Sequence, residues 1–114
     1  MNVIFIINDS FRRDHLGCYG NNWIQTPNLD KFAQESIIFD QAYIASYPTV
    51  PNRWDLNTGR FGFPFRGWQP LDQKDVTVAE ILGQYGFTSM LIHDTPMLGM
   101  HEFNYTKGYS AFWW

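Results

Sequence analysis

A continuous apolar run near the start of the chain constrains the fold more than any other feature. Residues 2–7 read Asn-Val-Ile-Phe-Ile-Ile, with no polar residue alternating between the apolar ones. Such a run is typical of a strand buried on both faces, as in a parallel sheet covered by helices. Asn8, Asp9 and Ser10 follow it directly. They would stand at the carboxyl end of the strand, the edge at which open α/β sheets bind ligands.

The remaining pattern alternates helices and strands. N-cap and capping-box signals, with proline in the first turn, predict helices that begin at Thr26, Thr49 and Thr77. Extended apolar patterns predict strands over residues 2–7, 37–45 and 87–92. The order β-α-β-α-α-β predicts an α/β fold, with a partial layered sheet, mostly parallel, that is flanked by helices.

Composition limits the classes of function. The 114 residues form at most one small domain, and 45% of them are hydrophobic, which is enough for a core. The net charge of −3 gives no support for nucleic-acid binding. The longest apolar run is too short to span a membrane. No signal peptide is visible and Cys18 cannot form an internal disulfide, so we expect a cytoplasmic location and no membrane partner.

The end of the chain is unusually aromatic. Phe112, Trp113 and Trp114 close it without a charged or polar tail, whereas natural termini are usually exposed and polar. We therefore expect either a chain cut through a packed segment, which we favour, or an oligomer that buries this end. A cut chain would expose Phe and Trp side chains, and self-association through these aromatics is expected.

The segment Thr49-Val-Pro-Asn-Arg53, followed by Thr58-Gly59-Arg60, is the strongest candidate for chemistry. Thr49 at a helix start is explained by N-capping alone in most proteins. A helix start also favours a bound sulfate or phosphate, because its N–H groups and the positive end of the helix dipole attract anions. Arg53 lies one turn later, where its guanidinium could hold two oxyanion oxygens. We interpret Thr49 and Arg53 as catalytic residues.

Asp9 is the candidate metal ligand. It closes the first predicted strand at the ligand-binding edge, and hard divalent cations prefer oxygen donors. The alternative is an Asp that caps the following turn. Of the three histidines, His93 is the best placed, because it follows the predicted strand 87–92 together with Asp94.

These motifs resemble the sulfatase family of the alkaline-phosphatase superfamily. The resemblance rests on four segments in order: residues 2–10, residues 13–20, the helix start at residues 26–30, and the strand that begins at Gly86. The Thr49 segment has the spacing of the family signature Cys/Ser-x-Pro-x-Arg followed by Thr-Gly-Arg. The resemblance implies that residues 1–114 are the N-terminal segment of a sulfatase-like catalytic domain.

The resemblance also implies a function. It points to a metal-dependent hydrolase of small-molecule or carbohydrate sulfate or phosphate esters, which acts by in-line attack. Thr49 would be the nucleophile, and Arg53 would steady it and the bound oxyanion. Asp9 would bind a divalent cation such as Ca²⁺, Mg²⁺, Mn²⁺ or Zn²⁺.

Four departures from the family pattern qualify the expected activity. Thr49 replaces the Cys or Ser that family members oxidise to formylglycine, and a Thr nucleophile is typical of phosphodiesterase-like and phosphotransferase-like relatives. Ser10 stands where many members have a second metal Asp, and residues 93–97 do not match the Gly-Lys-Trp-His segment. The remaining ligands, in an Asp-x-x-x-His-Gly segment, are not in this sequence. We expect this chain alone to be inactive; the alternative is a non-catalytic relative that binds an oxyanion or carbohydrate.

Overall fold

Two structural units make up the chain in this computed structural model, which describes residues 1–114. The first unit is Met1–Ala42 and the second is Tyr43–Trp114. The assignment of all 114 residues to one segment of a larger catalytic domain stays a prediction. No helix in the chain has both the length and the apolar composition that are needed to cross a bilayer.

The first unit is built around one helix and two short 3₁₀ turns. The turns are Arg13–His15 and Gly17–Tyr19, and helix α1 is Pro27–Gln34. Proline occupies the first turn of α1, as predicted. Thr26 is the N-cap residue, but its hydroxyl makes no capping bond; it accepts a hydrogen bond from the backbone N–H of Gly17 instead.

Two predicted strands are wrong in this structure. Residues 2–7 belong to no sheet, and their side chains are exposed, with Ile4 at 87%. Residues 37–45 form no strand either. A strand is stabilised by the ladder that it shares with a neighbour, and neither segment has such a neighbour here.

The second unit contains three helices and a two-stranded sheet. The helices are α2 (Thr49–Thr58), α3 (Val78–Gln84) and α4 (Pro96–Gly99), with a 3₁₀ turn over His101–Phe103. The strands are β1 (Met90–Ile92) and β2 (Ala111–Trp113), which pair in parallel. The register places Met90 opposite Ala111 and Ile92 opposite Trp113. The predicted α/β class with a partial parallel sheet is therefore confirmed.

The sheet needs a crossover, because parallel strands cannot be joined by a tight turn. Residues 93–110 form this connection, and they carry α4 and the 3₁₀ turn. Strand β1 covers only the C-terminal part of the strand predicted over residues 87–92, and β2 was not predicted. The crossover matters for the site because it returns the chain to helix α2.

The core of the second unit lies on one side of α2. Val50 and Trp54 are four residues apart, so they share a face of the helix. They pack with side chains from three other segments: Leu71, Leu98 and Tyr105. Met97 and Phe103 cover the edge of this cluster. Helix α2 is therefore held mainly by the loop before α3 and by the crossover after β1.

Helix α3 begins with the predicted capping box. Thr77 Oγ1 accepts a hydrogen bond from the backbone N–H of Glu80 at 3.2 Å, and the Glu80 carboxylate accepts one from the Thr77 N–H at 2.9 Å. Gly108 passes over this box with φ of +84°. A Cβ at Gly108 would lie 2.6 Å from Glu80 Cγ, so the close approach of the two segments requires glycine.

Candidate active site

Helix α2 places Thr49 and Arg53 one turn apart on the same face. Thr49 is its first residue, and Pro48 is the N-cap, which makes no side-chain capping bond. The explanation of Thr49 as a capping residue is therefore wrong. Pro51 also stands in the first turn, where the N–H that it lacks would have no partner in the helix. Thr49 is partly buried, and as the first residue of α2 it stands at the positive end of the helix dipole.

Arg53 is held close to the helix. The residue is only 8% exposed, and its Nη1 donates a hydrogen bond to Asn52 Oδ1 at 2.8 Å. Its backbone carbonyl accepts a hydrogen bond from Asn57 Nδ2 at 2.8 Å. A buried guanidinium is costly unless it is paired and hydrogen-bonded. A fixed guanidinium near a helix start is well suited to hold an oxyanion, since its planar fork matches two oxygens.

The core beside α2 contains a buried polar pair that no local sequence pattern indicates. The indole Nε1 of Trp54 donates a hydrogen bond to Asp75 Oδ2 at 2.9 Å, and both residues are buried. The guanidinium carbon of Arg66 lies 4.8 Å from the centroid of the Trp54 ring, a cation–π contact. Trp54 therefore links helix α2 to the loop before α3.

The Asp75 carboxyl stays ionised in this setting. Burial by itself would raise its pKa, but the hydrogen bonds from Trp54 and from the backbone N–H of Asp72 lower it. The nearby guanidinium groups of Arg66 and Arg60 lower it further, so the pKa of Asp75 lies below its ordinary value. Nothing local in the sequence marks Asp75, because its partner Trp54 is 21 residues away.

The Asp55 carboxylate also lies on the inner side of α2. Its Oδ1 accepts a hydrogen bond from the backbone N–H of Gly62 at 2.8 Å, and its Oδ2 is buried without a hydrogen-bond partner. Ser46 is fully buried, and its Oγ accepts a hydrogen bond from the N–H of Phe63 at 3.0 Å. These two bonds tie the segment after α2 to the helix itself and to the segment before it.

Asp9 belongs to the first unit, whereas Thr49 and Arg53 belong to the second. It is exposed, and its Oδ1 accepts a hydrogen bond from Ser10 Oγ at 3.0 Å. Asp9 offers the oxygen donor that a divalent cation prefers, but such cations need several donors. No group of three or more His, Cys, Asp or Glu side chains in residues 1–114 is arranged to hold a metal ion.

His93 follows β1 directly, but its imidazole makes no hydrogen bond. Its ring stacks on Trp114 with 6.4 Å between centroids, and a Cβ on Gly99 would meet its edge at 2.9 Å. Both ring nitrogens are buried without a hydrogen-bond partner. The position after the strand was predicted correctly, but in this structure the imidazole serves as a packing surface.

Comparison with known proteins identifies the family. The family profile named Sulfatase matches residues 1–113. The chain therefore belongs to the sulfatase family, as its motifs implied. No solved structure matches the chain.

Among the curated relatives, arylsulfatase D of Homo sapiens is 33% identical over 105 residues, which cover 80% of this chain and 18% of that protein. N-acetylglucosamine-6-O-sulfatase of Bacteroides thetaiotaomicron is 36% identical over 100 residues, 80% of this chain and 17% of that protein. Iduronate 2-sulfatase of Homo sapiens is 38% identical over 60 residues, 53% of this chain and 11% of that protein. The chain thus spans less than a fifth of the length of these relatives.

Proposed function

We propose that the protein that contains this chain hydrolyses sulfate or phosphate esters, with Thr49 as the nucleophile and Arg53 as the oxyanion-binding residue. One observation carries the proposal: α2 begins at Thr49 and holds a buried, hydrogen-bonded Arg53 one turn later. The relatives, which include an arylsulfatase and an N-acetylglucosamine-6-O-sulfatase, favour a sulfate ester of a small molecule or carbohydrate.

The chemistry is an in-line displacement in two steps. Thr49 Oγ1 forms a bond to sulfur or phosphorus while the bond to the ester oxygen breaks, and the alcohol leaves with the proton that Thr49 Oγ1 gives up. Arg53 holds oxygens on the transferred group, where negative charge is concentrated. Attack by water then releases the inorganic anion and restores the threonine hydroxyl.

The proposed reaction also uses a divalent cation, which the full-length protein would bind. Ca²⁺, Mg²⁺, Mn²⁺ or Zn²⁺ would polarise the anionic ester, and Asp9 would be one of its oxygen ligands. Residues 1–114 contain no group of three or more His, Cys, Asp or Glu side chains arranged to hold a metal ion, so the other ligands would come from the rest of the full-length protein. Treatment with a chelator should abolish turnover by the natural full-length protein, and one of the four cations should restore it.

The decisive experiment is Thr49→Ala in the natural full-length protein. Removal of the nucleophile should lower kcat for 4-nitrophenyl sulfate or 4-nitrophenyl phosphate by at least about a thousandfold. Thr49→Ser keeps a hydroxyl and should retain measurable turnover. Thr88→Ala is the matched control, because Thr88 is exposed and lies outside α2. Undiminished turnover in Thr49→Ala would eliminate the proposed nucleophile.

A non-catalytic relative that binds an oxyanion or carbohydrate is the second candidate. Exposed aromatic rings favour it: Tyr47 and Phe63 stack with 6.4 Å between centroids, and Phe61 and Phe65 are exposed nearby in sequence. Aromatic faces of this kind pack well against sugar rings. This candidate predicts that sulfate or a sulfated sugar raises the melting temperature of the wild-type protein while no ester is turned over.

A further inference from the structure

Tyr105 connects the crossover to the first turn of α2. Its side chain is in the core at 1% exposure, and its hydroxyl donates a hydrogen bond to the backbone carbonyl of Val50 at 3.1 Å. Val50 directly follows Thr49. In an α-helix the same carbonyl accepts the N–H of the residue four positions later, here Trp54. The Tyr105 hydroxyl is therefore a second donor at the turn that carries Thr49.

A second tyrosine reaches the next turn of the same helix. The Tyr109 hydroxyl donates a hydrogen bond to Asn57 Oδ1 at 3.2 Å, and Asn57 Nδ2 donates one to the carbonyl of Arg53 at 2.8 Å. The bond from Tyr109 fixes the orientation of the Asn57 amide, because its oxygen must face the hydroxyl and its nitrogen the helix. Tyr105 thus contacts the backbone next to Thr49, and Tyr109 reaches the Arg53 carbonyl only through the Asn57 side chain.

The segment that carries both tyrosines is itself tied down. Lys107 Nζ donates hydrogen bonds to the carbonyls of Gln73 at 2.8 Å and Asp75 at 2.5 Å. Thr77 Oγ1 donates one to the carbonyl of Lys107 at 3.3 Å. With several bonds to the loop before α3, this segment can act as a fixed support for α2 rather than as a mobile strap.

The Tyr105 hydroxyl remains a donor over the neutral pH range. Burial raises the pKa of Tyr105 to about 12. The hydroxyl therefore keeps its proton under any ordinary assay condition.

We infer that Tyr105 is a positioning residue, which fixes the first turn of α2 and so the placement of the Thr49 hydroxyl. Tyr109 supports Arg53 in the same way through Asn57. The inference rests on the proposed function of Thr49 and Arg53, and it assigns the residues that align them. Neither tyrosine touches the transferred group.

The test is Tyr105→Phe in the natural full-length protein. Phenylalanine fills the same space and removes only the hydroxyl. The matched control is Tyr85→Phe, since Tyr85 is 78% exposed. Hydrogen exchange at the backbone amides of Arg53 and Trp54 should become about fivefold faster in Tyr105→Phe and stay unchanged in Tyr85→Phe. Unchanged exchange at both amides would overturn the inference.

Kinetics separate positioning from stability alone. At a temperature at which the variant is fully folded, Tyr105→Phe should lower kcat about fivefold and leave KM within about twofold. A purely structural role would lower the melting temperature and leave kcat of the folded enzyme unchanged, which would overturn the inference. Tyr109→Phe is a second, milder variant that leaves Tyr105 in place, and it should lower kcat about twofold.

A double-mutant cycle with Thr49→Ser tests whether Tyr105 acts through Thr49. If it does, the loss of kcat in the double variant should be smaller than the product of the two single losses. Losses that multiply would overturn the inference and leave the proposed function intact. If the wild-type protein turned over neither sulfate nor phosphate esters, the proposed function would be wrong. The hydrogen-exchange rates would still decide whether Tyr105 holds the first turn of α2.

Discussion

Trp54→Phe removes one hydrogen-bond donor from the core beneath the candidate site and keeps an aromatic ring in place. Trp54 is 6% exposed, and its Nε1 donates to the buried Asp75 carboxylate at 2.9 Å. After the substitution, Asp75 keeps the N–H of Asp72 at 3.0 Å and an Arg66 nitrogen at 3.8 Å. The carboxylate would remain ionised but would lose its only indole donor.

Two contributions set the size of the effect. A hydrogen bond to a charged group stabilises the folded state by about 1.5–3 kcal/mol. The cation–π contact between Arg66 and the ring at 4.8 Å becomes weaker with a smaller ring, which costs roughly 0.5–1 kcal/mol. We therefore expect a loss of about 2–4 kcal/mol in the free energy of unfolding. That is a large share of the ~5–15 kcal/mol typical of a folded domain.

The assay is urea denaturation of the 114-residue chain, followed by far-UV circular dichroism at low concentration. Trp68→Phe is the matched control, because Trp68 is 47% exposed and its Nε1 contacts only the weak acceptor Met97 Sδ. The control substitution should lower the free energy of unfolding by less than about 1 kcal/mol. If the two variants lost the same free energy of unfolding, the reasoning about the Trp54–Asp75 bond would be refuted.

Two further predictions concern the same unit. The folded-state pKa values of Asp75 and Glu80 lie below their ordinary values of 3.8 and 4.5. The two ionised carboxylates therefore stabilise the folded state at pH values above these ordinary values, and this stabilisation is lost as the pH falls below them. Thermal unfolding between about pH 2 and pH 6 should show this loss, and Asp75→Asn should reduce it; an unchanged profile would contradict the assignment. Thr77→Ala removes the capping bond of α3 and should lower the free energy of unfolding in urea denaturation by about 1 kcal/mol. Thr88→Ala is the control, because Thr88 is exposed, and it should cause no measurable loss.

The helices were predictable because their signals are local. Proline in the first turn marked α1, and the Thr77 and Glu80 side chains of the capping box marked α3 within four residues. Strands behave differently, since a strand forms only where a partner is available. Residues 2–7 have the stronger strand composition, yet the strands form at Met90–Ile92 and Ala111–Trp113, which meet across the crossover. Composition alone could not identify that pairing.

The same distinction holds for the candidate site. Thr49 and Arg53 could be paired from sequence because a helix brings residues four apart onto one face. The contacts that hold this helix are long-range: Trp54 to Asp75 spans 21 residues, and Tyr105 to Val50 spans 55. No local pattern encodes such distances. The roles of Thr49, Arg53 and Asp9, the cytoplasmic location and the self-association through exposed aromatics stay predictions.

The central claim is that Thr49 attacks the ester, and it can be tested by trapping the covalent intermediate. The natural full-length protein would be mixed with substrate and quenched in acid within its first turnovers, and the peptide that contains Thr49 would be analysed by mass spectrometry. We expect a sulfuryl or phosphoryl group on Thr49 in the wild type and none on this peptide in Thr49→Ala. Continued turnover with no modified Thr49 at any quench time would contradict the account.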